Sequence, residues 1–389
     1  MRETAMKINT LASPTFGWLK MNGAELIHVP AVQKMSPAIK LPEGVKVETR
    51  NRGCTLQDMR MGGGSEFTEL LQKAEVPELL CTVPEGANIS DQDALRLRFS
   101  LPDTGEPFDP DVPSEQCVRC PDTKKAQDAP AAAGKFSRIS LVLEKGSEMT
   151  AVMDFHSDET ACGAAGVQTR VSLAEGAKLT LVQVVRPGEG YTFINDVGAW
   201  CGKGAELQVI HLVLSGGTVY QGLSAALAAD RSKFSVDIAY LGRGSSRYDM
   251  NYEAIHTGKK TESRITARGV LRDHASKLFR DSIDFKNGCS DSEGNETEEV
   301  LLMDETVKNR SLPIILCNEE KVVGNHGASI GRLDEGLLFY MESRGMNRDE
   351  IYEMMAKARL DAVLRMIPDG ELRCELLECG EGEVEEAFD

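Results

Sequence analysis

Lys145-Gly146-Ser147-Glu148-Met149 followed by TAVMDF, Glu175-Gly176-Ala177-Lys178-Leu179 followed by TLVQVV, and Lys203-Gly204-Ala205-Glu206-Leu207 followed by QVIHLVL are three copies of one unit. Their glycines stand 30 and 28 residues apart. A fourth copy, Asp230-Arg231-Ser232-Lys233-Phe234 followed by SVDIAYL, keeps the spacing, and Gly258 to Thr261 before ESRITARGVL carries it on. Each unit is a polar turn leading into an alternating apolar strand, and a fixed period of this length is the signature of a solenoid. Because strand patterning fills every unit, the reading is a mainly β protein, a parallel β-helix with two strands per coil. The competing architecture, a β-sandwich of regular hairpins, requires two-residue Asn-Gly or Asp-Gly turns. The chain has few.

Working outward, residues 1–80 form an N-terminal mixed and helical segment. In it Phe67, Leu70 and Leu71 have the spacing of a short helix over Glu66 to Ala74. Gly62-Gly63-Gly64 lacks the lysine of a phosphate-binding loop and reads as a plain loop. The β-helix is expected over 81–333, interrupted at about 101–133 by a surface excursion that holds six of the fifteen prolines. Proline removes donors and fixes φ, so this stretch is neither a central strand nor an ordinary helix. After 333 the period becomes helical. Asp334 to Arg344, closed by Gly345, is one predicted helix. Asn347 with Glu350 three residues on starts another, with Ile351, Met354, Met355, Ala358, Ala362 and Met366 on one face. Residues 334–389 are thus a C-terminal helical domain with an acidic tail, the last nineteen residues carrying seven Glu and one Asp against one Arg.

Composition narrows the function. The 389 residues carry 44 basic and 61 acidic side chains, a net charge of −17, which repels phosphate backbones and argues against nucleic acid as a partner. No apolar run is long enough to span a membrane, and the first twenty residues have no apolar signal core. The expectation is a cytoplasmic protein whose ten cysteines are mostly thiols acting as small apolar residues. No Ser-His-Asp order or paired-carboxylate motif stands out. His28, His156, His211, His256 and His274 are scattered, and each reads as structural or exposed.

The block from Leu312 to Gly345 is the most specific part of the chain. It contains His326-Gly327-Ala328-Ser329-Ile330-Gly331-Arg332-Leu333-Asp334-Glu335 and then Leu338-Phe339-Tyr340-Met341-Glu342-Ser343-Arg344-Gly345. In its HGAxxGxLDE and LFYxxSRG patterns the chain resembles the SufB/SufD family of iron–sulfur cluster assembly scaffolds. It is similar to the SufD branch in particular, because Gly327 follows the histidine where the SufB branch has glutamate. The resemblance extends more weakly back through GVLRDHASKLFRDSIDF (269–285). It implies a right-handed parallel β-helix with a C-terminal helical domain, and a non-catalytic scaffold subunit that pairs with SufB and docks SufC, an ABC-type ATPase. Two departures stand out. Asp281 occupies a position where the family commonly has glycine, and the strand matching the cysteine-bearing region of SufB reads Glu296-Thr297-Glu298-Glu299-Val300-Leu301-Leu302-Met303, without cysteine.

His326 is the leading site residue: neutral imidazole binds iron, and Gly327 and Ala328 leave it unobstructed. The resemblance implies that it lies at the SufB interface, where a transient iron–sulfur cluster is built, with ATP entering only through the partner ATPase and a flavin left open. Cys289 and Cys317 flank the region as weaker metal candidates, since thiolate is the soft ligand of iron–sulfur chemistry. Leu337, Leu338, Phe339 and Tyr340 run consecutively around a helix, so either the helix is sandwiched or one face awaits a partner. With Arg344 they form the candidate docking surface. Cys117 and Cys120, the only CxxC, supply two of the four ligands of a zinc site, and a second pair would have to come from Cys374 and Cys379 or another chain. Three alternatives accompany this reading: a SufB-like homodimeric scaffold, a polysaccharide-acting β-helix enzyme, and a zinc or redox module built on Cys117 and Cys120.

Overall fold

The computed structural model describes residues 5–14, 17–51, 59–105 and 133–377. The repeat unit forms a parallel β-solenoid. From Ala133 to Gly331 seven coils follow one another, each giving one strand to either of two sheets, and Glu78–Val83 with Leu95–Ser100 make a shorter coil ahead of them. Neighbouring coils pair parallel and in register, as Lys178–Arg186 does with Glu148–His156. Inward residues therefore stack in columns. Leu181, Val209, Val236 and Ile265 make one such column, inside the main core.

The turn glycines explain why the motif repeats. Gly146, Gly176 and Gly204 have φ of +64°, +68° and +62°, and in the next two coils Arg231 and Lys260 hold the same left-handed turn conformation at +61° and +56°. Such a conformation is cheapest for glycine, so the signal fades in sequence while the turn persists. Each of these residues donates its N–H to the carbonyl of the following coil: Gly146 to Glu175, Gly176 to Lys203, Gly204 to Asp230, Arg231 to Lys259 and Lys260 to Ser290, all at 2.9–3.0 Å. The turns thus form a ladder of their own.

The two ends of the chain cover the outer faces. On the ten-stranded sheet, Met6–Ile8, Ala24–Leu26 and helix α1 (Ser65–Lys73) bury Phe67 and Leu71 against Phe136, Ile194 and Tyr220. Arg280, fully buried, fastens this N-terminal strap: its Nε donates to the Met21 carbonyl at 2.6 Å and its two terminal nitrogens to Asp249 at 2.7 and 3.1 Å. On the nine-stranded sheet lie helices α2 (Glu335–Glu342) and α3 (Arg348–Leu364) and a further helix α4 over 370–377. Val363, Leu364, Ile367, Leu372 and Leu376 pack on Val182, Val184, Ile210 and Leu212. Arg96 pairs with Asp369 at 2.7 Å and Arg186 with Asp154 and Glu375 at 3.0 and 2.7 Å, tying the last helix to the sheet. Among the described residues no helix is long and apolar enough to cross a membrane.

Candidate functional site

The ends of the solenoid differ. At the first end Lys46–Arg50 and Ala38–Lys40 pair antiparallel with the strands of the short coil and close the stack. At the other end Lys308–Cys317 and Val322–Gly331 are the terminal strands of their sheets, with no described strand on their outer edges. An uncovered pair of edges presents unsatisfied N–H and C=O groups and is a template for another chain. Val322–Gly331 is exposed over nearly its whole length, including Val323 and Ile330. His326 stands at its centre, exposed, in register with the buried Glu296 of the preceding coil.

The coil beneath His326 departs from the apolar rule. Its inward positions carry Lys277, Asp281, Glu296 and Glu298, all buried, in columns that hold Tyr248, Tyr252, Ile265 and Ala267 one coil earlier. Lys277 forms an ion pair with Glu298, donates to Ser311 Oγ at 3.1 Å and lies over the rings of Tyr240 and Phe279. The Tyr240 hydroxyl donates to Glu298 at 3.3 Å. Glu296 has no such partner: neither of its carboxylate oxygens accepts a hydrogen bond, and Oδ1 of Asp281 accepts none either. Burial, then the neighbouring Glu298 charge, pushes the Asp281 carboxyl up; burial, then Asp281, does the same to Glu296. The sequence does carry a signal for this coil, the alternation Gly294, Glu296, Glu298, Val300, in which Glu296 stands where the earlier coils have Ile265, Val236, Val209 and Leu181.

The other proposed site residues separate. Cys289 is buried with Ile283 and Phe285, and burial, then the nearby Glu319 carboxylate, pushes its thiol up. Cys317 closes the strand Lys308–Cys317, exposed, its Sγ 3.1 Å from the Glu319 carbonyl. Neither adjoins His326 in register. Cys81 and Cys201 are buried thiols pushed up to about 12 by burial, as expected of small core residues. Cys117, Cys120 and Cys379 lie outside the described residues. Among the described residues no three His, Cys, Asp or Glu side chains converge in a geometry that holds a metal. His211 and His256 are buried inside the solenoid: burial holds them down at about 3 and about 4, and they bond to Gln221 and Tyr252 and to Thr261 and Ser263 respectively.

The consecutive Leu337-Leu338-Phe339-Tyr340 resolves into two roles on α2. Asp334 caps the helix, accepting from the Leu337 N–H at 3.0 Å. Leu338, 1% exposed, points inward onto Val270, Leu301, Ile351 and Tyr352 and is unavailable to a partner. Phe339 and Tyr340 are 74% and 53% exposed and Leu337 is exposed beside them. The Arg344 guanidinium lies 5.3 Å from the centre of the Tyr340 ring, a cation–π contact that holds it on the same exposed surface.

A family model described as SUF system FeS cluster assembly, SufBD core domain, matches residues 125–359, more than half of the chain. The chain belongs to the SufBD family. It is 27% identical over 236 residues to the iron-sulfur cluster assembly protein SufD of Bacillus subtilis, a match that covers 60% of this chain and 54% of that protein. It is 22% identical over 245 residues to the chloroplastic SufBD family protein ABCI8 of Arabidopsis thaliana, covering 61% and 44%. A SufBD family protein of Mycobacterium leprae matches at 24% over 133 residues, 34% of this chain and 15% of its own length. The matched stretch thus spans about half or less of these relatives' own lengths. The parallel β-solenoid and the C-terminal helical part expected from the sequence are both present in this SufBD protein.

Proposed function

We propose that this SufBD-family protein is a non-catalytic, SufD-like scaffold subunit of a cytoplasmic iron–sulfur assembly complex. Its last coil pairs with the solenoid of a SufB-like subunit, His326 faces the cluster that forms there as cargo, and the exposed face of α2 docks a SufC-like ABC ATPase, the source of ATP dependence. The observation that carries this reading is the uncovered last coil. A solenoid closed, among the described residues, by antiparallel strands at one end only leaves at the other an edge suited to strand addition, and the one histidine of the family-like motif lies at the middle of that edge. The test is His326→Ala. An exposed side chain contributes little to stability, so folding and complex formation stay near normal while cluster yield on the assembled complex falls. Unchanged yield retires the site. A chain that pairs only with its own copy through this edge would replace the SufB-like partner by a homodimer.

A further inference from the structure

We infer that Arg243 and Arg272, on neighbouring coils, form a binding site for a small phosphate-bearing anion in the groove along one corner of the solenoid. Neither residue belongs to the last coil or to α2, so the inference is independent of the scaffold reading. The turns that leave the nine-stranded sheet enclose a cavity of about 920 Å³ there, with Arg186, Arg243 and Arg272 on its walls. Gly188, Gly190, Gly216 and Gly244, also on the walls, bring no side chain to fill it. Gly242 pairs in register with Leu271, and the ladder runs on past them: the Arg272 N–H donates to the Gly242 carbonyl at 3.0 Å and the His274 N–H to the Gly244 carbonyl at 2.9 Å. Arg243 and Arg272 are therefore stacked neighbours, their backbones roughly 4.8 Å apart, and both side chains reach the same cavity.

Stacked like charges repel. On the opposite corner the turns avoid this by alternating sign, Glu175 pairing with Lys145 at 3.1 Å and with Lys203 at 3.7 Å. Here the carboxylates at hand stand off. Glu159 is 3.8 Å from Arg243 and Asp273 is 3.6 Å from Arg272, both beyond hydrogen-bond reach. Asp273 is already engaged, accepting from the Gly244 N–H at 2.7 Å. Arg186, on the same walls, shows the contrast: it donates to both oxygens of Asp154 at 3.0 Å and to Glu375 at 2.7 Å. Yet the Arg243 and Arg272 side chains are only 24% and 20% exposed, so water does not surround them. A guanidinium offers a planar fork of donors matched to adjacent oxygens of an oxyanion. Two forks side by side call for about two negative charges, which a phosphate carries at neutral pH and a single carboxylate does not. Glu159, Glu189 and Asp273 around the groove, with the net charge of −17, turn away a polyanion and leave the place to a small one. The cavity has the volume of a small-molecule site, with space beyond the phosphate for the group that it esterifies.

The experiment titrates inorganic phosphate and, separately, glycerol phosphate into the full chain by calorimetry at neutral pH and low salt. One equivalent binds in the parent. Arg243→Gln and Arg272→Gln each weaken binding by at least about tenfold, the loss of a charge-assisted hydrogen bond. Lys203→Gln, exposed on the opposite corner, leaves it unchanged. Thermal melts show that each variant is folded, and the bound anion raises the melting temperature of the parent and not of the arginine variants. Absence of saturable binding with both probes, or parent-level binding in either folded arginine variant, overturns the site. Equal weakening by Lys203→Gln overturns it as well, because the effect is then one of overall charge. Tighter binding of glycerol phosphate supports the site and assigns it to a phosphate ester, whereas inorganic phosphate binding as tightly or more so supports it as a site for the free anion.

Discussion

Truncating Leu338 to alanine removes a side chain packed with Val270, Leu301, Ile351 and Tyr352 under α2. Loss of its buried methyl and methylene groups accounts for about 2 kcal/mol, and the cavity left between helix and sheet raises the destabilisation to about 3–4 kcal/mol. The next residue behaves oppositely. Phe339 is 74% exposed, so Phe339→Glu changes stability by no more than about 0.5 kcal/mol. An aromatic anchor at the centre of a docking face is worth about 2 kcal/mol or more, roughly thirtyfold in affinity, and Phe339→Glu removes it. The assay pairs urea unfolding of the isolated chain with binding to the SufC-like ATPase of the proposal on a sensor surface. Leu338→Ala lowers the unfolding midpoint, and Phe339→Glu lowers affinity alone. If Phe339→Glu unfolds the chain by more than about 1 kcal/mol it is a core residue, and if it binds as the parent does, α2 is not the docking face.

Three further outcomes are expected. Arg280→Met leaves Asp249 with the Asn9 amide, which donates to it at 2.7 Å, and a side chain 17% exposed that can partly rehydrate, so the loss lies near the lower end of the range for breaking a buried pair, about 3 kcal/mol; amide exchange over residues 5–26 rises with it, and a loss under about 1 kcal/mol refutes the strap's anchoring. Burial alone would raise the Asp154 carboxyl, but His156 and the Arg186 guanidinium outweigh it and hold the group near 2 against an ordinary 3.8. A depressed carboxyl stabilises fully above its unfolded value and loses that contribution as pH falls toward 2, about 2 kcal/mol in all. Asp154→Asn therefore destabilises at pH 7 and not at pH 2, and equal losses at both would contradict the linkage. Asn347→Ala breaks the reciprocal cap, in which Asn347 accepts from the Glu350 N–H at 2.9 Å and Glu350 from the Asn347 N–H at 2.8 Å; about 1 kcal/mol of stability is lost, and a melt unchanged within error would mean that α3 is held by packing alone.

Features that repeat between neighbouring coils are legible in the amino-acid order alone. A coil contacts only the coils beside it, so the turn glycines, the 28-residue period and the parallel pairing were readable locally, as were the Asn347 cap and the motif around His326. Features that depend on distant contacts emerge only in the folded chain. Arg280 meets Met21 across 259 positions, and Arg96 meets Asp369 across 273, and no local pattern records that the two chain ends cover opposite sheets. The inward acids of the Glu296 coil are visible as an alternation, yet only the fold shows that Lys277 satisfies Glu298 while Glu296 stays without a hydrogen-bond partner. Leu338 and Phe339 are equally apolar in sequence. Burial divides them because one helix face meets Ile351 and Tyr352 and the other meets solvent, a difference of orientation that adjacent residue types do not encode.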